Sequence, residues 1–368
     1  MRILHAVLSE GFYGSERYCG ELAREQARRG HDVAIVTLGN TSDCTLALRS
    51  QAAQASSSAP GRMRLSAIPR ALPAVLHRPF AQILMHRLRP HIVHTHLDPA
   101  ARRIGGVARR RGIPHVATLH LNFSAPEYGA CNGLICIADW QRKTVPADFA
   151  GSVTVVRNWL PGGVADALDA ATTDVVADLR RGWRADDPGF VFGSVGRLVP
   201  EKGMDALIRG FRRAFPEGQE PVRLVIVGDG PQREALRELA SADTRIVLAG
   251  AQENVAPFYR AFDAYVSAAR FEPFGIAILE AMAAGCPLVL TRSQGPREFV
   301  SDPRTRWIDD ASDTALAEAL VEANAAGRRR FTYELSLFSP ARAVNEIEQL
   351  YKRVIGQQAS RDALRHRH

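Results

Sequence analysis

From Ile3 to Thr291 the chain alternates short apolar runs with longer stretches in which apolar residues recur every three or four positions. The first kind of run suits a strand buried on both faces, the second an amphipathic helix lying against a sheet. Strand–helix alternation makes the strands parallel, because each helix carries the chain back to the edge where the next strand begins. The expectation is an α/β protein of βαβ units rather than an all-β sandwich or a helical bundle.

The alternation comes in two series. In the first, strands are expected at Ile3–Leu8, Asp32–Leu38, His91–Thr95, His115–His120 and Leu134–Ala138. Helices are expected at Ser15–Arg29, Ala71–Leu88, Pro99–Arg111 and Asp139–Val145. The second has strands at Phe190–Gly196, Val222–Val227, Arg245–Leu248, Ala264–Ser267 and Pro287–Thr291. Its helices fall at Met204–Phe215, Gln232–Ala240, Val255–Phe262 and Gly275–Ala284. The stretch Asn40–Arg62, with its run QAAQASSSAPG, breaks the pattern and reads as a mobile loop. RNWLPGGVADALDAATTD reads as a linker near residues 157–175. An amphipathic helix follows at 340–356, and 357–368 reads as a charged tail that frays. A length of 368 residues suits two domains of ~100–200 residues. They are placed at 1–160 and 161–339, with 340–368 as a C-terminal helix and tail. Two doubly wound sheets bind ligands at the carboxyl ends of their strands.

With 46% hydrophobic and 23% charged residues the chain is neither disordered nor fibrous. No uncharged apolar run reaches the ~18 residues of a membrane span, and the start reads as a first strand rather than a leader. Cys19, Cys44, Cys131, Cys136 and Cys286 form no CxxC pair, so a reduced, cytosolic protein is expected. Residues 1–160 hold 20 basic and 10 acidic side chains, against 27 and 29 in the remainder. The excess positive charge therefore lies in the first half. It suits an anionic partner there, or a solvated surface of an arginine-rich chain that has lysine only at 143, 202 and 352.

The sharpest segment is FEPFGIAILEAMAAGCPLVL, residues 271–290. A helix is expected to open near Phe274 or Gly275, and from Ile276 to Ala284 its only polar residue is Glu280. A lone carboxylate on an apolar helix needs donors when buried. The diol of a ribose would supply them, and so would an internal Arg. Glu272, eight positions upstream on the preceding loop, can face the same ligand. The amides around Gly275 and Ile276 lie at the positive end of the helix, where an anion is stabilised.

In GSVGRLVPEKG, residues 193–203, Arg197 follows a strand end and Lys202 stands at the mouth of the next helix. Two cations so placed can bracket a diphosphate. There is no GxxxxGK[ST] loop, and GDGP at 228–231 reads as a turn. In SEGFYGSERYCG, Gly11 and Gly14 either let the backbone approach a ligand or simply make a tight turn. Ser15 is placed to cap the helix, with Glu16 in its first turn. The absence of GxGxxG speaks against a nicotinamide cofactor. His94 and His96 close HIVHTH, with Asp98 just beyond, and His120 closes HVATLH. On parallel strands all three are expected to point into the cleft. There a histidine polarises a sugar hydroxyl or acts as a base, unless its role is structural. No HxxxH pair or acidic cluster accompanies them, so a metal site is not expected.

Taken together, GRLVPEKG (196–203), LVIVGDGP (224–231) and EPFGIAILEAMAAGCPLV (272–289) resemble the retaining GT-B glycosyltransferases of family GT4, and the resemblance spans nearly the whole chain. It implies a GT-B fold: two Rossmann-like doubly wound domains facing across a cleft, with the C-terminal helix crossing back to the first. It carries the family's E-x7-E pattern as Glu272 and Glu280. By position it implies that Arg197 and Lys202 hold the diphosphate of a nucleotide-sugar and Glu280 its ribose. Glu272 and the amides of Phe274, Gly275 and Ile276 would meet the transferred sugar and the phosphates. Gly14 would approach the phosphate from the first domain, and His120 the reacting carbon. The sequence departs from the family where a paired glycine appears as Gly14-Ser15, where Pro-Ser appears as Ala268-Ala269, and where a second paired glycine appears as Gln294-Gly295.

The implied reaction moves a sugar from a nucleotide diphosphate to an acceptor hydroxyl with retained configuration. It needs no cofactor beyond that donor substrate and no metal, since two fixed cations would meet the charge growing on the leaving group. The resemblance also implies a glycan or lipid-linked acceptor in lipopolysaccharide or exopolysaccharide assembly. The basic half would then sit peripherally on anionic lipid at the inner membrane face, and no nucleic acid is expected as partner. The competing readings are another GT-B enzyme (a nucleotide-sugar epimerase or an inverting transferase) and a non-catalytic basic module that binds membrane or nucleic acid.

Overall fold

The computed structural model describes residues 1–56, 60–73, 76–185, 189–216 and 221–365. Met1–Trp159 together with Phe338–His368 form one unit and Leu160–Leu337 the other. The first is built on seven parallel strands: β1 (Arg2–Val7), β2 (Asp32–Leu38), β3 (Arg62–Ile68), β4 (Ile92–His96), β5 (His115–Leu119), β6 (Gly133–Cys136) and β7 (Ser152–Val155). Their order is β3-β2-β1-β4-β5-β6-β7. The chain winds outward from β1 to β3 and then resumes on the other side of β1, so the topological switch lies between β1 and β4. Side chains of β2 alternate between two helical layers. Val33 and Ile35 pack with Cys19, Ala23 and Leu48, while Ala34 and Val36 pack with Met85, Ile104 and Val107.

The second unit repeats this plan with six strands: β8 (Phe190–Val195), β9 (Val222–Val227), β10 (Ile246–Gly250), β11 (Ala264–Ser267), β12 (Leu288–Thr291) and β13 (Arg306–Ile308). The order β10-β9-β8-β11-β12-β13 puts its switch between β8 and β11. The helix Pro340–Arg365 belongs to the first unit. Its stripe of Ala343, Val344, Ile347, Leu350, Tyr351 and Val354 is fully buried. Gly133 lets it come close to β6, since a Cβ there would lie 3.1 Å from Val354.

Three strands were not anticipated: β3, β7 and β13. All are sheet edges, and an edge strand keeps polar or half-exposed positions that break an apolar run. The expected loop at 40–62 is instead occupied by the helix Asp43–Ser56. Its buried Cys44, Leu48 and Ala52 fall at helical spacing amid Ala, Ser and Gln; residues 57–59 lie outside the described residues. The expected linker carries the helices Val164–Ala170 and Thr173–Gly182. The expected fraying tail continues the last helix to Arg365, and residues 366–368 lie outside the described residues.

Candidate functional site

In the second unit the loops that leave β8 and β11 are fastened to each other. After β8 the chain turns at Gly196, exposes Arg197 and buries Leu198. The 228–231 turn holds this loop: Leu198 N–H donates to the Asp229 carbonyl at 3.0 Å, and Gln232 N–H to the Leu198 carbonyl at 3.0 Å. Gly228 has φ +143°, and a Cβ there would stand 1.9 Å from the Gly196 carbonyl oxygen. GDGP is therefore the turn it was read as, and it supports the loop that carries Arg197. Pro200–Lys202 makes one tight turn, and Gly203, at φ +65°, caps the helix Met204–Ala214. A Cβ on Gly203 would meet the Ala268 carbonyl at 2.1 Å, so only glycine lets the two loops touch.

The loop after β11 is held along its length. Thr291 Oγ1 donates to the Ala269 carbonyl at 2.6 Å. The amides of Arg270 and Phe271 donate to the Glu201 carbonyl at 2.8 and 3.2 Å. The Arg270 guanidinium donates to the Pro200 carbonyl at 2.7 Å and to both Asp205 oxygens at 2.9 Å, and this fork holds the Asp205 carboxyl below its usual range. Glu272 is thereby set beside Lys202, Nζ to Oε2 2.5 Å. Gln294 Oε1 accepts from the Glu272 amide at 3.3 Å, and Gly295 N–H donates to the Glu272 carbonyl at 2.9 Å.

Gly275, at φ +109°, then opens the helix Ile276–Ala283, whose first amides have no acceptor within the helix. The buried Phe274 ring stacks on Phe299 at 4.8 Å. Glu280 lies inside that helix, 4% exposed, and accepts from the Tyr259 hydroxyl at 2.8 Å. A tyrosine is thus one donor to this carboxylate. Burial, reinforced by the Glu280 charge, pushes the Tyr259 hydroxyl well above its ordinary pKa.

The structure therefore brings together Lys202, Glu272 and the helix start at Phe274, Gly275 and Ile276, with Arg197 on the adjoining loop. Arg270, Gln294 and Tyr259 were not anticipated. Their roles depend on which loops meet, and nothing in the sequence pattern records that.

In the first unit Gly14 opens the helix Gly14–Arg28, and a Cβ on it would point into open space. The cap is not Ser15: Tyr13 occupies that position, and its amide donates to Glu16 Oε2 at 2.9 Å. His94 and His96 do not open toward a ligand. Both are fully buried inside the unit. The last helix reaches their strand, with the Tyr351 hydroxyl 2.6 Å from His94 Nδ1. Asp98 accepts from the Tyr128 hydroxyl. His120, at the end of β5, is half-buried. The Tyr18 ring packs edge-on against it at 5.2 Å, and burial pushes the His120 pKa down to about 4.

Residues 12–159 match the family model described as Glycosyltransferase Family 4, and residues 189–325 the one described as Glycosyl transferases group 1. A GDP-mannose-dependent alpha-mannosyltransferase of Mycolicibacterium smegmatis is 30% identical over 300 residues, 73% of this chain and 74% of that one. The chain belongs to glycosyltransferase family 4. Another relative, the lipopolysaccharide core biosynthesis glycosyltransferase LpsE of Rhizobium meliloti, is 34% identical over 44% of each chain. The chain spans about half the length of the first curated relatives it matches. Among solved structures, a glycosyltransferase from Rickettsia africae superposes with a TM-score of 0.77 at 15% identity, over 96% of this chain and 98% of that one. Anabaena HepE in complex with UDP and glucose gives 0.71 at 17% identity, over 99% of each chain. The fold of this GT4 chain is GT-B, two parallel-sheet α/β domains. No helix among the described residues is long and apolar enough to cross a membrane.

Proposed function

We propose that this chain transfers a sugar from a nucleotide-diphosphate sugar to an acceptor hydroxyl, with retained anomeric configuration. The observation that carries the reading is the Lys202–Glu272 pair at the switch point of the second sheet, beside the open start of the Ile276 helix. Arg197, Lys202 and the amides of Phe274, Gly275 and Ile276 meet the negative charge that grows on the diphosphate as the glycosidic bond breaks. Glu280 takes the ribose hydroxyls beside its tyrosine partner. Glu272, already held by Lys202, positions the transferred sugar rather than attacking it. In the first unit Gly14 admits a phosphate and His120 meets the sugar. On this reading Arg197 and Lys202 meet that charge without a divalent metal.

The acceptor is a glycan or a lipid-linked glycan of envelope polysaccharide assembly, a reading supported by the relative named for lipopolysaccharide core biosynthesis. The basic first half, net +10 over residues 1–160, suits peripheral binding to anionic lipid at the inner membrane face.

A thermal-shift panel led by GDP-mannose and UDP-glucose tests the donor, because a ligand at 100 times its Kd stabilises by ~2.7 kcal/mol. Nuclear magnetic resonance of the product in the presence of a chelator then tests the rest. An inverted anomer would overturn retention, an epimerised nucleotide-sugar would overturn transfer, and loss of turnover in the chelator would overturn metal independence. Binding of no nucleotide-sugar, with steeply salt-dependent binding to polyanions instead, would indicate a basic binding module.

A further inference from the structure

Three histidines of the first unit lie in a row that ends at His120. Gln26 Oε1 is 2.8 Å from His5 Nε2, His5 Nδ1 is 3.1 Å from His96 Nε2, and His96 Nδ1 is 3.5 Å from His120 Nε2. A branch leaves from the other end of the same amide. Gln26 Nε2 is 3.4 Å from the Tyr351 hydroxyl, which is 2.6 Å from His94 Nδ1, and His94 Nε2 is 2.7 Å from Thr118 Oγ1. His5 stands opposite His94 in the β1–β4 register, and His96 is two residues on, on the same face. His5, His94, His96 and Gln26 are fully buried.

Three such rings suggest a cation, since His5, His94 and His96 offer nitrogens within 4.8 Å of one another. Both nitrogens of His94 are already engaged by hydroxyls, however, which leaves the set short of a third ligand. A directional hydrogen-bond chain fits every contact instead. A neutral imidazole has one N–H and one lone pair, so fixing one end of a chain fixes every tautomer in it. Gln26, oriented with Oε1 toward His5 and Nε2 toward Tyr351, fixes the end. Its carbonyl only accepts, so His5 carries its hydrogen on Nε2. His5 Nδ1 then accepts from His96 Nε2–H, and His96 Nδ1 from His120 Nε2–H. On the branch, Gln26 donates to Tyr351, Tyr351 to His94 Nδ1, and His94 Nε2–H to Thr118.

We infer that Gln26, His5 and His96 are positioning residues that hold His120 as its Nε2–H tautomer, leaving Nδ1 as an acceptor for a substrate hydroxyl. The chain requires neutral rings, and burial supplies them, pushing the pKa of His5 and His120 down to about 4 and holding His94 and His96 well below the ordinary imidazole value. His120 is then neither a cation beside a phosphate nor a proton donor to a leaving group. Its use toward the transferred sugar rests on the function proposed above; its tautomer does not.

The test uses the full chain with 15N-labelled histidine, read by long-range 1H–15N correlation at neutral pH. His120 is expected with Nε2 protonated and Nδ1 bare. His96→Phe, which removes the acceptor, should move its shifts toward the averaged values of a free imidazole. His96→Asn, whose Oδ1 replaces Nδ1, should restore them. Gln26→Met cuts the chain at its far end and should release the tautomer as His96→Phe does, should the latter fail to fold. With an established donor, kcat should fall about tenfold in His96→Phe and recover in His96→Asn, with nucleotide affinity unchanged. A His120 that carries its hydrogen on Nδ1, or shifts that ignore both truncations, would overturn the chain. So would added Zn²⁺ that perturbs His5, His94 and His96 together. Released shifts with undiminished turnover would leave the chain standing and remove His120 from the sugar.

Discussion

Lys202 Nζ lies 2.5 Å from Glu272 Oε2, and the two side chains are only 24% and 14% exposed. The pair joins the loop after β8 to the loop after β11 and compensates its own charge. If Lys202 holds the diphosphate, as proposed, that diphosphate competes with Glu272. Glu272→Gln should free the ammonium and tighten binding of a nucleoside diphosphate up to about tenfold, as expected for a charge-assisted hydrogen bond. The same substitution should slow transfer by ~10²–10³. Lys202→Met should lose both. Calorimetric titration beside turnover reads the split, and weaker nucleotide binding in Glu272→Gln would remove Lys202 from the diphosphate.

Glycines separate support from contact. Gly203→Ala would force a Cβ to 2.1 Å from a carbonyl oxygen at φ +65°, and Gly228→Ala to 1.9 Å at φ +143°. Each should cost about 2 kcal/mol or more of stability, read as a fall in unfolding temperature. Gly14→Ala adds a methyl to open space, so stability should stay within about 0.5 kcal/mol. If Gly14 admits a phosphate, that methyl should weaken nucleotide-sugar binding all the same. Unchanged affinity would make the glycine a turn and nothing more.

Glu280 and Tyr259 form a buried pair at 2.8 Å, and the two substitutions there should act differently. Tyr259→Phe takes a donor from a buried carboxylate and should cost ~1.5–3 kcal/mol of stability. Glu280→Gln can still accept from the tyrosine and should fold. If the carboxylate binds ribose, that variant should weaken the donor and the free nucleotide together. Full nucleotide affinity per folded molecule, with lowered stability, would assign Glu280 to structure alone.

What the sequence made legible follows from what is local. Strands buried on both faces, such as Val222–Val227, and helices with a continuous stripe declare themselves through periodicity. So did the placement of Arg197 and Lys202 at a strand end, and of Glu272 ahead of an apolar helix. What stayed hidden depends on distant partners. Edge strand β13 is three residues long and becomes a strand only by pairing with β12. Arg270 looks like any surface arginine until the loop after β11 meets Asp205. His94, read as closing its strand, lies instead in the middle of β4 and is fully buried, with the Tyr351 hydroxyl, 257 residues away, at 2.6 Å.

Acid should separate the two units. All 11 histidines lie outside residues 160–337, and those on β1, β4 and β5 are buried. Burial pushes the pKa of His5 down to about 4 and of His115 to about 3, and lowers His94 and His96 well below the ordinary value. Unfolded, each titrates near 6.5. Because the folded pKa is the lower one, the unfolded state binds more protons between the two values. Stability is complete above about 6.5 and is lost as pH falls toward the folded pKa, at up to about 1.4 kcal/mol per pH unit for each histidine. Between pH 7 and 5, His5 and His115 should each remove ~2 kcal/mol from the first unit. In the second unit Asp205, Asp243 and Asp302 have carboxyls held below their usual range, so they surrender stability only at lower pH. Hydrogen exchange resolved by segment and corrected for its intrinsic pH dependence should show β1, β4 and β5 losing protection at pH 5, while β8, β9 and β11 keep theirs. His115→Gln should reduce the proton uptake by about one. Equal loss in both sheets, or a pH dependence untouched by His115→Gln, would show that the buried histidines do not govern the acid response.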